Sequence, residues 1–383
     1  MTTRSTLRGA EQALKRLFAF LFRIIFRSNP YRNLAAFHPK AILVVRQHNQ
    51  LGDMLCAVPL LRSLREKFPK AFISLITSPV NYDVMVGNEY IDEVLCYDKR
   101  EFITQGLPRL ERLLRFLRAL RKMGFDLAIV PATVSTSSTS DWLAFLSGAR
   151  VRIGPSSLES KENPTGFLFN VPVPLDWRET PEVHQAERNT AIALSLGIAS
   201  IQPRSVISLK PSESKEAKSF LGTDSSTHRL DIVYHPGAGK IPNRWPADRF
   251  ALVANILSYE FDARVVITSG QFDGDPVSDM KGKLSVEYKI ISNEPIRKVA
   301  AVLSQVALVI TNDTGIMHVG AAVGTPVLSL FGPTDWRQWA PIGHQHRVVA
   351  SKSTNIEDIQ TDEVLFVARE MLRTILQRKS STS

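Results

Sequence analysis

Short apolar runs alternate with amphipathic stretches along most of this chain, and the alternation occurs twice. That pattern restricts the fold more than any other feature. From Ala41, the runs AILVV (41–45), FISLIT (72–77), EVLCY (93–97) and DLAIVP (126–131) are apolar at most positions. Strands buried on both faces have that composition, whereas strands with one wetted face alternate apolar and polar. Helical periodicity predicts helices at about 53–67, 107–122 and 183–196. A polar segment from Ser200 to Thr227, with Pro203, Pro211 and several serines, reads as a linker. After it the order returns: DIVYH (231–235), a helix from Pro246, RVVIT (264–268), a helix from Pro295, ALVIT (307–311), a helix from Gly315, and PVLSLF (326–331). Strands alternating with helices pack as parallel sheets covered on both faces. The expectation is an α/β protein with a basic arm at 1–40, one domain over 41–199 and a second over 200–355. A terminal helix over 356–383 either packs on the second domain or crosses back to the first.

A chain of 383 residues has the length of two domains. It holds no uncharged apolar run of about 18 residues, which argues against a spanning helix. Cys56 and Cys96 have no His or Cys near them at metal-ligand spacing, and no signal peptide precedes them. Buried thiols in a reducing cytosol are expected. There are 47 Lys and Arg against 37 Asp and Glu, and residues 1–40 hold eight of those bases with the single acid Glu11. Positive charge is therefore concentrated in an arm, and the near-neutral remainder argues against nucleic acid as a partner. Within the arm, LKRLFAFLFRIIFR (14–27) sets Leu14, Leu17, Phe18, Leu21, Phe22, Ile25 and Phe26 on one helical face, flanked by Lys15, Arg16, Arg23 and Arg27. Such a helix suits the headgroup region of an anionic leaflet, or else docks on the protein's own surface.

Three stretches carry chemistry. In TNDTGIMHVGAAVGTPVLSLFGPTD (311–335), a strand runs into Asn312, Asp313, Thr314 and Gly315 and then into a helix. Ligands of open α/β sheets bind at such strand ends, and the unpaired N–H groups of a first helical turn attract anions. Gly315 would let a phosphate approach the backbone, and His318 stands one turn further on. Asp313 or Thr314 is equally suited to capping that helix. In YHPGAGKIPNRWPADRF (234–250), Lys240 and Arg244 are cations able to meet phosphate oxygens, or are solvated surface charges. In VVRQHNQLGDMLCAVPLLRSLREKFP (44–69), Gly52 permits a tight turn and Asp53 stands at the entrance of a helix, either as a cap or as a general base on a hydroxyl.

These three stretches, in this order and spacing, resemble glycosyltransferase family nine, the family of the lipopolysaccharide heptosyltransferases; the resemblance covers about residues 41–345. It implies a GT-B fold of two Rossmann-like domains facing a cleft, with the terminal helix crossing back. It also implies inverting, metal-independent transfer of a sugar from a nucleotide diphosphate, with no cofactor. Asp53 matches the position of the family's base, and Asp313, Thr314, Gly315 and His318 match its donor-diphosphate loop. The expected donor is ADP-heptose and the expected acceptor is a glycolipid of the lipopolysaccharide core. The expected location is the cytoplasmic face of the inner membrane, held at an anionic surface.

Two departures bear on the donor. Asn243 stands where the family often has lysine, leaving Lys240 or Arg244 to compensate, and SGQFDGDP offers Asp273 or Asp275 for a ribose. The same FDGDP also resembles the Asp-any-Asp metal signature of the other large glycosyltransferase fold. Ordinary turn chemistry accounts for it as well. On LPRLERLLRFLRALRK (107–122), Arg112, Arg115 and Arg118 join Arg109, Arg121 and Lys122 on a polar side set against Leu110, Leu113, Leu114 and Leu117. That side suits an acidic saccharide or an anionic lipid, or is a solvated face. The rival functions are a nucleotide-sugar isomerase or hydrolase on the same architecture, and a catalytically silent nucleotide-sugar-binding protein.

Overall fold

The computed structural model describes residue 26 and residues 29–34, 36–103, 107–198, 202–222, 229–271 and 273–380. The amphipathic helix expected over 14–27 therefore lies, Phe26 apart, outside the described residues. The chain divides into two compact units, and the division does not follow the sequence in one cut. The first unit takes residues up to Asn49, Pro59–Tyr82 and Glu89–Gln202; the second takes Gln50–Val58, Asp83–Asn88 and Pro203 onward.

The first unit is built on a sheet of seven strands: β1 Ala41–Arg46, β2 Phe72–Thr77, β3 Glu93–Cys96, β4 Leu127–Ile129, β5 Val151–Leu158, β6 Lys161–Glu162 and β7 Val171–Leu175. Its order is β3-β2-β1-β4-β5-β6, with β7 paired to β5. All pairings are parallel except the short β5–β6 hairpin. The strands β5 to β7 were not foreseen, because Arg152, Pro155 and two prolines of VPVPL interrupt their apolar pattern. On one face, Leu43, Val45, Ala128 and Val130 pack with Leu120, Phe125, Leu143 and Phe169. Phe26 stacks edge-on against Trp142 and Phe145 of the helix Ser138–Leu146, at 6.4 and 5.5 Å between centroids.

The second unit carries β8 Asp231–His235, β9 Arg264–Ser269, β10 Tyr288–Ser292, β11 Leu308–Asn312, β12 Val327–Phe331 and β13 Arg347–Ala350, in the order β10-β9-β8-β11-β12-β13 and parallel throughout. β8, β11 and β12 are buried at every residue, as their unbroken apolar runs require. The helices Ala247–Phe261, Ile296–Leu303 and Gly315–Ala322 stand where the sequence predicts them.

One expectation needs correction. The 200–227 segment is not wholly a linker, since Pro211–Leu221 is a helix. Pro211 opens it, the Glu213 carboxylate accepts the Lys210 N–H at 2.7 Å, and Ala217 and Leu221 are buried one turn apart. The terminal helix Thr361–Ser380 takes the first of its two expected places. It belongs to the second unit, where Val364, Leu365, Ala368, Met371 and Leu372 join the core around Trp245 and Phe250 and Arg369 pairs with Glu260 at 2.6 Å. Among the described residues, no helix is long and apolar enough to cross a membrane.

Asp141 is fully buried at the start of the helix Ser138–Leu146, where Asn163 and Thr165 both donate to its Oδ2. Burial pushes its pKa up to about 6, against the lowering effect of those two bonds. A carboxyl whose pKa is raised on folding contributes stability below its unfolded pKa, and that contribution is lost as pH rises through the folded value. Between about pH 4 and pH 6 the contribution should therefore fall, by on the order of 3 kcal/mol. Urea titrations across that window should show Asp141→Asn gaining on the wild-type protein as pH rises.

Candidate active site

In the second sheet the strand order reverses between β8 and β11, the point where open α/β sheets bind ligands beyond the strand ends. The loops after these two strands are the ones the sequence singles out. Asn312, the last residue of β11, ties them together. Its Nδ2 donates to the carbonyls of Pro236 and Gly237 at 2.9 and 3.2 Å, and its Oδ1 accepts the Trp245 N–H at 3.0 Å. Trp245 is buried and donates through Nε1 to the Ile359 carbonyl, so the tryptophan of the RWP element is an anchor for the loop rather than a ligand group.

Asp313 does not cap the following helix. Thr314 is at the cap position without a side-chain cap bond, and the Asp313 carboxylate instead accepts Asn243 Nδ2 at 2.9 Å. Burial raises the Asp313 pKa, opposed by a hydrogen bond from Thr334 and by the charge of Lys240. Asn243, read from the sequence as a missing lysine, is thus the partner of this carboxylate, and Lys240 is the cation acting on it. Arg244 Nε donates to the Ala238 carbonyl at 2.9 Å, and its charge acts on His235.

Next to these loops lies a cavity of about 740 Å³, lined by Thr314, Gly315 and Ile316 from the helix start and by His235, Thr268 and Asp273 from the β8 and β9 ends. Leu51, Asn293 and Glu294 also line it. Asp273 reaches this position because Gly237 has no side chain: a Cβ there would lie 2.1 Å from the Asp273 carboxyl carbon. Its Oδ2 accepts the Gly270 N–H at 2.7 Å and stands 3.8 Å from His235 Nε2. Asp275 is exposed and does not line the cavity. His235 Nδ1 lies 3.1 Å from the Thr268 carbonyl and 3.0 Å from Thr268 Oγ1, and burial lowers the histidine's pKa. Sequence reasoning missed His235, Asn293 and Glu294. Only the position of His235 at the end of an apolar run pointed to it.

The third stretch meets the first directly. Asp53 lies in the short helix Leu51–Leu55, is 2% exposed, and stands in the first turn, where a carboxylate favours the helix dipole. Gln50 occupies the cap position, so Asp53 is not the cap. Gly52 serves close approach rather than a tight turn. A Cβ on it would sit 2.7 Å from His318 Cδ2 and 2.8 Å from Nε2, and one on Gly315 would sit 3.1 Å from Leu51 Cβ. The two helices therefore interlock, each glycine receiving a side chain of the other. His318 is 8% exposed, with Trp339 edge-on at 6.2 Å. Asp53, Asp313, His318, Lys240 and Arg244 adjoin these loops but do not line the cavity itself.

In the first sheet the order reverses between β1 and β4. There the buried Arg46 guanidinium donates to the Pro131 carbonyl and Thr133 Oγ1, both at 3.3 Å, and holds the loop after β4. On the helix Leu107–Lys122, Arg112, Arg115 and Arg118 are exposed, and Arg115 pairs with Glu111 at 2.9 Å. Leu110 and Leu114 do not face inward as expected; at 52% and 40% exposure they stand in solvent among the cations, while Leu113, Phe116 and Leu117 pack on the core.

Gly52→Ala tests the interlock. The added methyl must displace the His318 imidazole, a strain of about 1–3 kcal/mol by the usual cost of overpacking. A lowered thermal midpoint with loss of turnover is expected, and unchanged values of both would remove the contact from the site.

The sequence profile of Glycosyltransferase family 9 (heptosyltransferase) matches residues 113–365. Lipopolysaccharide heptosyltransferase 3 of Escherichia coli is 25% identical over 313 residues, 76% of this chain and 84% of that protein. Lipopolysaccharide heptosyltransferase 2 of Escherichia coli is 25% identical over 310 residues, 78% and 85% of the two chains. Among solved structures, a family 9 glycosyl transferase from Veillonella parvula aligns with a TM-score of 0.76 at 22% identity, over 88% of this chain and 97% of that one. The Escherichia coli ADP-heptose lps heptosyltransferase II aligns with a TM-score of 0.71 at 21% identity, over 89% and 99%. The interlocked helices, the loops at the β8–β11 switch point and the match across two thirds of the sequence agree: the chain belongs to glycosyltransferase family 9, the heptosyltransferases, and has the GT-B fold.

Proposed function

We propose that this glycosyltransferase moves heptose from ADP-heptose to a hydroxyl of a lipopolysaccharide-core acceptor, with inversion, and that Asp53 is the base. The observation that carries this reading is the seating of the Asp53 helix against the helix whose first turn lines the cavity. In the reaction, Asp53 takes the proton of the acceptor hydroxyl as its oxygen attacks the anomeric carbon, and the bond from that carbon to the diphosphate oxygen breaks. The departing ADP gathers negative charge, which the N–H groups at Thr314–Ile316 and the Lys240 ammonium stabilise as it develops. His318, behind Gly52, holds the two helices at their spacing. Asp273, fixed by the Gly270 N–H, accepts from the ribose hydroxyls in the same cavity that Asn293 and Glu294 line. Charge on the diphosphate is met by these groups without a metal, so turnover is expected to survive EDTA.

Lipopolysaccharide heptosyltransferases of Escherichia coli are among the relatives of this chain, and similar solved structures include an ADP-heptose lps heptosyltransferase and a heptosyltransferase with ADP. Those names support the donor and acceptor chosen here. Asp53→Asn should lower turnover with ADP-heptose by about a thousandfold, within the range of removed general bases. The same variant should keep the thermal shift given by ADP-heptose. Undiminished turnover would take the base role from Asp53, and a selective shift by a UDP- or GDP-sugar instead would replace the donor.

The protein is placed by this reading at the cytoplasmic face of the inner membrane, where its glycolipid acceptor is anchored. Exposed Arg112, Arg115 and Arg118, with Leu110 and Leu114 among them, form a face suited to anionic headgroups, each cation contributing about 1 kcal/mol near such a surface. The basic arm adds charge in the same sense. Sedimentation with phosphatidylglycerol vesicles should carry the protein down at low salt and release it at high salt. Replacing the three arginines by alanine should weaken that binding by about tenfold or more, and equal binding by the variant would exclude this face.

A further inference from the structure

The second unit includes Pro203–Ser208, a segment of no regular secondary structure that leads into the helix Pro211–Leu221. Its polar groups are engaged in an ordered series. Ser205 Oγ donates to the Leu55 carbonyl at 2.6 Å, the Val206 carbonyl accepts Asn88 Nδ2 at 3.2 Å, the Ile207 N–H donates to the Ala322 carbonyl at 3.0 Å, and the Ser208 carbonyl accepts Arg297 Nη2 at 2.9 Å. Leu55 and Ala322 are the last residues of their helices, Leu51–Leu55 and Gly315–Ala322. The final carbonyls of a helix have no partner within it, so this segment supplies one at the end of each. The two donors are two residues apart, at most about 7 Å of extended chain.

Arg297 fixes the far end of the segment. Besides Ser208, it donates to both oxygens of Glu213 at 2.6 Å and to the carbonyls of Asp83 and Val86 at 3.1 and 3.0 Å. Leu51–Leu55 has only five residues, too few to hold a helix without tertiary support. The interlock of Gly52 with His318 packs its start, and the Ser205 bond ties its end.

We propose that residues 203–208 are a strap that sets the spacing between the Asp53 helix and the donor helix, with Ser205 as a positioning residue for the transfer reaction. The proposal rests on the reading of Asp53 as the base. Ser205 touches no reacting atom. It acts by holding the last carbonyl of the base's own helix, and a displacement of about 1 Å between reacting groups lowers rates by as much as a hundredfold.

The experiment compares Ser205→Ala, Ser205→Thr and Asp53→Asn with the wild-type protein, using ADP-heptose and lipopolysaccharide truncated in its heptose region. Ser205→Ala should lower kcat by about tenfold while the KM for ADP-heptose stays within about twofold. Ser205→Thr, which keeps the hydroxyl, should restore most of the loss. Thermal midpoints of both serine variants should stay within a few degrees of the wild type, as expected for a single half-buried hydrogen bond. If Asp53→Asn is inactive and Ser205→Ala turns over like the wild type, the strap proposal alone is overturned. A loss of kcat shared equally by alanine and threonine also overturns it. An active Asp53→Asn overturns the reading of Asp53 as the base, and the strap proposal with it.

Discussion

Two helices pack at backbone distance only where one of them lacks a side chain, and the contact of Gly52 with His318 is of that kind. The rest of the site depends on it. It brings a five-residue helix bearing a buried carboxylate against the helix whose N-terminus lines the cavity, and it spends the LGD glycine on this approach rather than on a turn. Gly315 completes the arrangement by receiving Leu51. A methyl group at Gly52 would force the His318 imidazole aside and separate the two helices, and one at Gly315 would press on Leu51.

Around that contact the polar groups fall into two kinds. Asn312, Trp245, Asn243 and Thr334 hold loops or other side chains, and their hydrogen-bonding capacity is directed inward. Asp273, Thr314 and Glu294 line the cavity. Asp313 belongs with the first group: its carboxylate is shielded, its pKa raised by burial, and its bond to Asn243 fixes the β11 loop to the RWP loop. Backbone N–H groups held in this way would meet an anion with little reorganisation, the arrangement that best stabilises charge as it develops.

The sequence was most legible where burial imposed a simple pattern. DIVYH matched β8 residue for residue, and the helices opened by Pro246, Pro295 and Gly315 began within a residue of expectation. It was least legible where several weak signals competed. In Pro211–Leu221 the serines and lysines suggested a linker, although Pro211 at the start, Glu213 in the first turn and Gly222 beyond the end are helix boundaries. On Leu107–Lys122, periodicity alone assigned Leu110 and Leu114 to the buried face, whereas the sheet beneath accommodates only the stripe through Leu113, Phe116 and Leu117.

By itself the sequence determined the class of fold and the number of sheets, and it marked three stretches that meet beside the cavity, because strand burial, helix amphipathicity and small residues at strand ends are local properties. Which residues meet was decided only by the tertiary structure. Residues 50–58 leave the first half of the sequence to pack in the second unit, Asn243 finds Asp313 across 70 positions, and Ser205 finds Leu55 across 150. Such pairings follow from the closing of whole sheets and helices around a core, and no periodicity within a segment encodes the distance to a partner that far along the chain.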